Sequence, residues 1–151
     1  MAITAAYWTL AILKPQNLFF LGCDMVYGVG KTHFYGVGRP DPLRKDISLR
    51  SLEAKTARFE CFATIAGCSV FNLSNEKESR LIYKRKNFAE LNFAKNYEPR
   101  PINMDKFNKA VKIEKNLNYF VSNGKYWKHE EEFDKRQIDT LDKLWLSSLL
   151  H

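Results

Sequence analysis

Two short apolar runs on either side of a long helical stretch limit the fold of this chain more than any other feature. Leu18-Phe19-Phe20-Leu21 runs unbroken into Gly22, and Cys68-Ser69-Val70-Phe71-Asn72-Leu73 forms the second run. Their length and boundaries predict buried strands of the parallel type. Between them Leu49, Leu52, Phe59, Phe62, Ala63 and Ala66 recur at helical spacing, which predicts a helix over about residues 47–66 with one apolar face. Asp46 is placed to cap its start and Gly67 to end it. Strand, helix, strand is a crossover unit, so the fold class is α/β with parallel strands.

Two parallel strands do not make a stable sheet, and they need cover on both faces. The chain is therefore expected either to pair with another subunit, as in a homo-oligomer, or to be completed by strands upstream of Met1, the second being preferred. Residues 2–13 read as a helix apolar nearly all round, and so buried on several sides. Pro15-Gln16-Asn17 ends it. Residues 84–102, closing with Pro99-Arg100-Pro101, read as a linker. Helices are expected over about 103–122 and 126–149, with a break near Asp134. The chain divides accordingly into an α/β part at 1–85, a linker at 86–102 and a helical C-terminal region at 103–151.

No apolar run reaches the roughly 18 residues that a membrane span needs. The apolar start lacks the charged leader of a signal peptide, since its first Lys, Lys14, follows the apolar stretch. Cys23, Cys61 and Cys68 form no close pair and no even framework. They read as small buried apolar residues in a reducing compartment, which predicts a cytoplasmic protein. The net charge of +7 gathers from Lys84 onward. A basic stretch of this kind attracts phosphates, nucleic acid or an anionic membrane surface, or simply solvates a helix face. Phe88, Phe93, Tyr97, Tyr119, Tyr126 and Trp127 supply rings for stacking on bases, while Glu130-Glu131-Glu132 interrupts the patch. Ile138, Leu141, Trp145 and Leu149, beside Lys135, Arg136 and Lys143, fit either an interfacial helix or core packing.

The Gly- and Pro-rich loop of residues 23–45 is long enough to suggest function. Tyr27-Gly28-Val29-Gly30-Lys31-Thr32 is not a phosphate-binding P-loop, because Met25 stands where the first Gly belongs and no helix follows. Gly28 and Gly30 fail the dinucleotide pattern, with His33 in place of the third Gly. His33, His129 and His151 have no ligand-like spacing, so no metal or other cofactor is expected.

Ligands of open α/β sheets bind beyond the carboxyl ends of the strands. Gly22 and Asp24 fall at one such end, and Asn72 and Ser74 at the other, with Arg80 beyond. Asp24 can accept hydrogen bonds from a sugar hydroxyl or cap the loop backbone. Gly22 leaves room for a close approach. Arg80 can hold a phosphate. Tyr27 and Tyr35 can donate to a leaving phosphate or pack on the core. His33 can take a proton from an attacking hydroxyl, although a lone His is more often structural.

In these stretches (Leu18–Asp24, His33–Gly36, Ile47–Ala66 and Val70–Ile82) the chain resembles the C-terminal half of bacterial lipooligosaccharide sialyltransferases and the related motility-accessory-factor glycosyltransferase-like proteins. The resemblance covers about residues 1–85. It implies a partial Rossmann-like sheet that binds a nucleotide-sugar donor, CMP-sialic acid being the best-known, and a glycan acceptor. It further implies a metal-free transfer with a loop His as base and loop tyrosines at the leaving phosphate. Gly22 and Asp24 would line the donor pocket, and Tyr27 lies one place from the family's Tyr. Val37 occupies the family's base position, so His33, which matches the other His of the element, is the substitute. The family's glycine-rich N-terminal strand-loop has no counterpart, which implies a chain that begins mid-domain. An enzyme of surface-glycan synthesis is expected to be peripheral at the inner membrane. The alternative is a non-catalytic basic module for nucleic acid or an anionic membrane.

Overall fold

The computed structural model describes residues 2–26, 50–92 and 95–150. In chain order they form α1 (Ala2–Leu13), β1 (Asn17–Phe20), α2 (Leu52–Ile65), β2 (Ser69–Asn72), β3 (Lys84–Arg85), α3 (Met104–Leu117) and α4 (Lys135–Ser148). The strands make one parallel sheet in the order β1-β2-β3. Asn17 lies opposite Ser69 and Phe20 opposite Asn72, and Phe71 and Asn72 lie opposite Lys84 and Arg85. The third strand was read in the sequence as the start of a linker. Its two exposed basic residues carry no apolar signal, and only register against β2 makes them a strand.

The helix before β2 starts later than its periodicity suggests. Ser51 caps it, its hydroxyl accepting from the Ala54 amide at 3.0 Å. Asp46, the expected cap, lies with Leu49 outside the described residues. The far end matches expectation. Gly67 turns left-handed at φ +74°, with the Gly67 amide on the Thr64 carbonyl at 3.0 Å and the Cys68 amide on the Ala63 carbonyl at 2.8 Å. Those two bonds satisfy carbonyls that the last turn leaves open.

α2 is apolar on two sides, and that decides the architecture. Phe59 and Ala63 meet Phe20, Val70, Leu81, Tyr83 and Ala6 on one face of the sheet. Ala54, Ala57 and Cys61 meet Phe107, Ala110, Leu141, Trp145 and Leu149 of the C-terminal helices. The small residues on that side let the helix axes approach closely. The opposite face of the sheet is covered by the segment after β3: Phe19 stacks on Phe71 at 5.6 Å, and Tyr97 meets Phe71 edge-on at 5.1 Å. The Lys86 ammonium lies over the Tyr97 ring at 4.2 Å.

α1 is less covered than its composition suggests. Ala6 is buried and Tyr7 and Leu10 pack on the core, but Trp8, Ile12 and Leu13 stay exposed. α1 packs mainly along α2, Tyr7 meeting Phe59 edge-on at 5.0 Å, so the rest of an all-apolar helix faces outward. α3 ends at Leu117, short of the expected end near residue 122, because Asn118 caps it in the left-handed conformation at φ +44°. Asp134 is the expected break: its carboxylate caps α4, accepting from the Arg136 and Gln137 amides at 2.9 and 3.2 Å. Residues 126–132, expected to be helical, form two 3-10 turns instead. The stripe Ile138, Leu141, Trp145 and Leu149 is buried against α2 and α3, so it serves the core and does not face a membrane. Among the described residues no helix is long and apolar enough to cross a membrane.

Candidate functional site

The carboxyl ends of β1 and β2 meet the start of α2 in a polar corner. β1 leaves the sheet through Gly22, at φ +69°. A Cβ there would meet no described atom within 4 Å, so the backbone angle and not a close approach calls for glycine. Met25 holds φ +56°, a left-handed conformation that strains a side-chain-bearing residue by about 1–2 kcal/mol. The turn between them aims Asp24 back toward β2.

Each polar group of the corner fixes the next. The Ser74 hydroxyl donates to Asp24 Oδ2 at 2.8 Å and accepts from the Glu76 amide at 3.0 Å. The Ser74 amide donates to Asn72 Oδ1 at 2.9 Å, and Asn72 Nδ2 donates to the Ser79 hydroxyl at 3.0 Å. Asn72 is fully buried, so its two bonds offset the cost of placing an amide in the core. The Arg80 amide donates to the Asp24 carbonyl at 2.9 Å. The Arg80 guanidinium forks onto Glu53, at 2.6 and 2.9 Å, in the first turn of α2. That pair holds the Glu53 carboxyl below its usual range, against the upward push of partial burial. Arg85, ending β3, donates to the Ser74 and Lys77 carbonyls at 3.3 and 3.4 Å.

Four residues singled out from the sequence, Asp24, Asn72, Ser74 and Arg80, thus share one corner, with Gly22 as the turn that leads into it. Asp24 is joined directly to Ser74 and, through its backbone, to Arg80. The guanidinium of Arg80 binds Glu53, which places it as a clamp between the loop and α2. His33, Tyr27 and Tyr35 lie outside the described residues, as does Val37. Glu53, Ser79 and Arg85 belong to the corner and were not singled out. Glu53 carried a signal, an acidic residue just after a Ser in the first turn of a helix, where it favours the N-terminal dipole.

One atom of the corner stands apart. Asp24 Oδ1 is buried and has no hydrogen-bond partner among the described residues, while its sister oxygen accepts from Ser74. A carboxylate oxygen removed from water without a donor is costly, on the order of 1–3 kcal/mol. A hydroxyl or amino group placed beside it would satisfy that oxygen. Cys23, beside it, has its thiol pushed up by burial and by the Asp24 charge, so it stays protonated and is no nucleophile at neutral pH. Burial also pushes Cys61 up to about 12 and Cys68 up to about 11, in keeping with their reading as inert core residues. Among the described residues no group of His, Cys, Asp and Glu is placed to hold a metal ion.

No protein-family model matches the chain, and neither curated proteins nor solved structures give a significant match.

Proposed function

We propose that the strand-end corner binds the nucleotide of a sugar donor, and that the chain works in a glycosyltransferase-like protein of cell-surface glycan synthesis. The donor is a nucleotide sugar, with the CMP-sialic acid type as the leading case, and the acceptor a glycan hydroxyl. The observation that carries this reading is Asp24: a carboxylate at a strand end, pinned by Ser74 and leaving one buried oxygen without a donor. Ribose or sugar hydroxyls are donors of the required kind. Parallel strands joined through α2 support a partial Rossmann-like sheet, whose ligands lie at this end. In the proposed reaction the acceptor hydroxyl attacks the anomeric carbon, His33 takes its proton, and Tyr27 and Tyr35 hydrogen-bond the departing phosphate.

The test is a calorimetric titration of the full chain with CMP and with UDP, beside Asp24→Ala. Saturable binding of one nucleotide is expected, and at least about a tenfold loss in the variant, since a buried charge-assisted hydrogen bond contributes about 1.5–3 kcal/mol. If neither nucleotide binds, or if Asp24→Ala binds as well as the parent, the corner is not a donor site. His33→Ala should retain nucleotide binding and lose transfer.

A basic nucleic-acid surface is the alternative. It draws on the exposed strand residues Lys84 and Arg85 and on Phe88, 59% exposed just after them. Tyr97, Tyr119 and Tyr126 make ring contacts within the chain, and Phe93 and the Trp127 side chain lie outside the described residues. Oligonucleotide affinity that falls steeply with added salt would favour it.

A further inference from the structure

α1 and α3 lie on either side of one arginine. The Arg58 guanidinium, from α2, donates to the Tyr7 hydroxyl of α1 and forks onto Glu114 of α3 at 2.7 and 2.8 Å. The two helices are therefore neighbours, and each has a second side turned away from the protein.

The outward side of α1 is apolar. Trp8 and Ile12, one turn apart, are each 61% exposed, and Leu13 at the end of the helix is 63% exposed. Ala5 and Ala11 flank them and are exposed too. No Asp, Glu, Lys or Arg occurs from Ala2 to Leu13, and Lys14, exposed, follows directly.

The outward side of α3 is basic. Lys109, Lys112 and Lys115 are exposed at three-residue steps, and none of them makes a hydrogen bond or ion pair with a described residue. Lys106 precedes them, held to the Ser147 carbonyl at 3.1 Å. Lysines at this spacing repel one another. The helix carries two acids. Glu114 is committed to Arg58, and Asp105, exposed in the first turn, is one negative charge beside four lysines. The helix dipole favours a cation in the last turn, which accounts for Lys115 but not for Lys109 or Lys112. Just past α3, Phe120 is 74% exposed, while Tyr119 beside it packs edge-on against Phe133.

We propose that α1 and α3 form a docking surface for an anionic lipid membrane, with Trp8, Ile12 and Leu13 entering the headgroup layer and the α3 lysines held to lipid phosphates. Apolar residues this exposed on one short helix mark an interaction surface. The lysines on the neighbouring helix select the partner. A lipid surface presents negative headgroups over an apolar layer, the two chemistries that these helices expose. A nucleic-acid duplex offers phosphates but no apolar layer. A second copy carries the same net charge of +7 and the same lysines, so pairing would oppose like charges. The contact is interfacial, since the 12 residues of α1 are too few to span a bilayer. It does not rest on the donor-site reading, because no corner residue belongs to either helix.

The experiment is flotation of the full chain on vesicles of phosphatidylcholine alone and of phosphatidylcholine with about one-third phosphatidylglycerol. Flotation is expected with the mixed vesicles and not with the neutral ones, and it should fall as salt is added, because the headgroup attraction is screened. Trp8→Ser, and Lys109→Ala combined with Lys112→Ala, all at exposed positions, should each weaken it at least about tenfold with no drop in the urea midpoint. No flotation, equal flotation on both vesicles, or flotation unchanged in either variant would overturn the proposal. So would a dimer at the assay concentration that is lost in Trp8→Ser, which would make α1 a seam between copies, or tighter binding of duplex DNA than of the mixed vesicles.

Discussion

At the strand-end corner, Asp24, Asn72, Ser74 and Ser79 are joined through side-chain hydrogen bonds and Arg80 forks onto Glu53, whereas at the junction of α2, α3 and α4, Phe62, Phe107 and Trp145 meet ring to ring. Phe62 and Phe107 lie 5.4 Å apart, and Phe107 and Trp145 5.8 Å. Even the charged group at the junction is used for packing. The Arg58 guanidinium lies over the Phe62 ring at 4.7 Å and the Trp145 ring at 5.7 Å while it forks onto Glu114 and meets the Tyr7 hydroxyl. Burial works to discharge Arg58, and the Glu114 carboxylate and Tyr7 outweigh it, so the group stays charged throughout the accessible pH range. α2 serves both regions, with Ser51 and Glu53 at the corner and Ala54, Ala57 and Cys61 at the junction. The junction holds the fold by area removed from water, which is non-directional. The corner spends its residues on directional bonds, a left-handed Met25 and an unpartnered oxygen, which suits recognition more than stability.

If that division is right, the largest effect belongs to the junction. Trp145→Ala should lose about 3–5 kcal/mol in urea unfolding, because it empties a fully packed ring site. Trp145→Phe should lose clearly less, since the buried indole N–H has no acceptor among the described residues and its removal recovers part of that cost. A loss below about 1 kcal/mol in Trp145→Ala would break the comparison.

The next effect lies with Glu60, on the helix the two regions share. Its folded-state carboxyl sits at about 7, above an ordinary Glu. The folded chain therefore binds more protons than the unfolded chain between roughly pH 4 and 7, so this group's stabilising contribution is complete below the ordinary Glu range and is lost as pH rises through about 7. Glu60→Gln should remove a slope on the order of 2 kcal/mol across that window. Urea midpoints measured from pH 5 to 8 check it; an unchanged slope in the variant would place the titrating group elsewhere.

The smallest effect belongs to the corner. Met25→Gly relieves the left-handed angle but frees the unfolded chain and removes a side chain packed on the core, so the net change should stay within about 1 kcal/mol. Asp24→Asn should change the urea midpoint by a similarly small amount while weakening nucleotide binding. A large stability loss in Asp24→Asn would make the corner a structural clasp rather than a binding site.

Much of the frame was legible before any coordinates. Apolar runs of the right length gave β1 and β2, helical spacing gave the body of α2, Gly67 its end and Asp134 a break before α4. The strand-end rule assembled Asp24, Asn72 and Ser74 from positions some 50 residues apart, as the Asp24–Ser74 bond shows. What stayed hidden had no local signal. β3 is two exposed basic residues, and Ser51 competed with Asp46 for the cap because a helix can begin at either. The commitment of Arg80 to Glu53 could not be read from either residue, since any nearby anion satisfies a guanidinium equally well.

Composition and spacing by themselves determined that the chain carries parallel strands around a long helix, with Cys61 and Cys68 buried and Cys23 only partly so, because burial and periodicity are largely properties of short segments. Tertiary structure alone decided which faces met. α2 lies between the sheet and the C-terminal helices, the α4 stripe goes to the core, and α1 keeps Trp8 outside. The physical reason is that an apolar residue gains equally from any apolar neighbour, so its partner is chosen by how the whole chain packs and not by the residue itself.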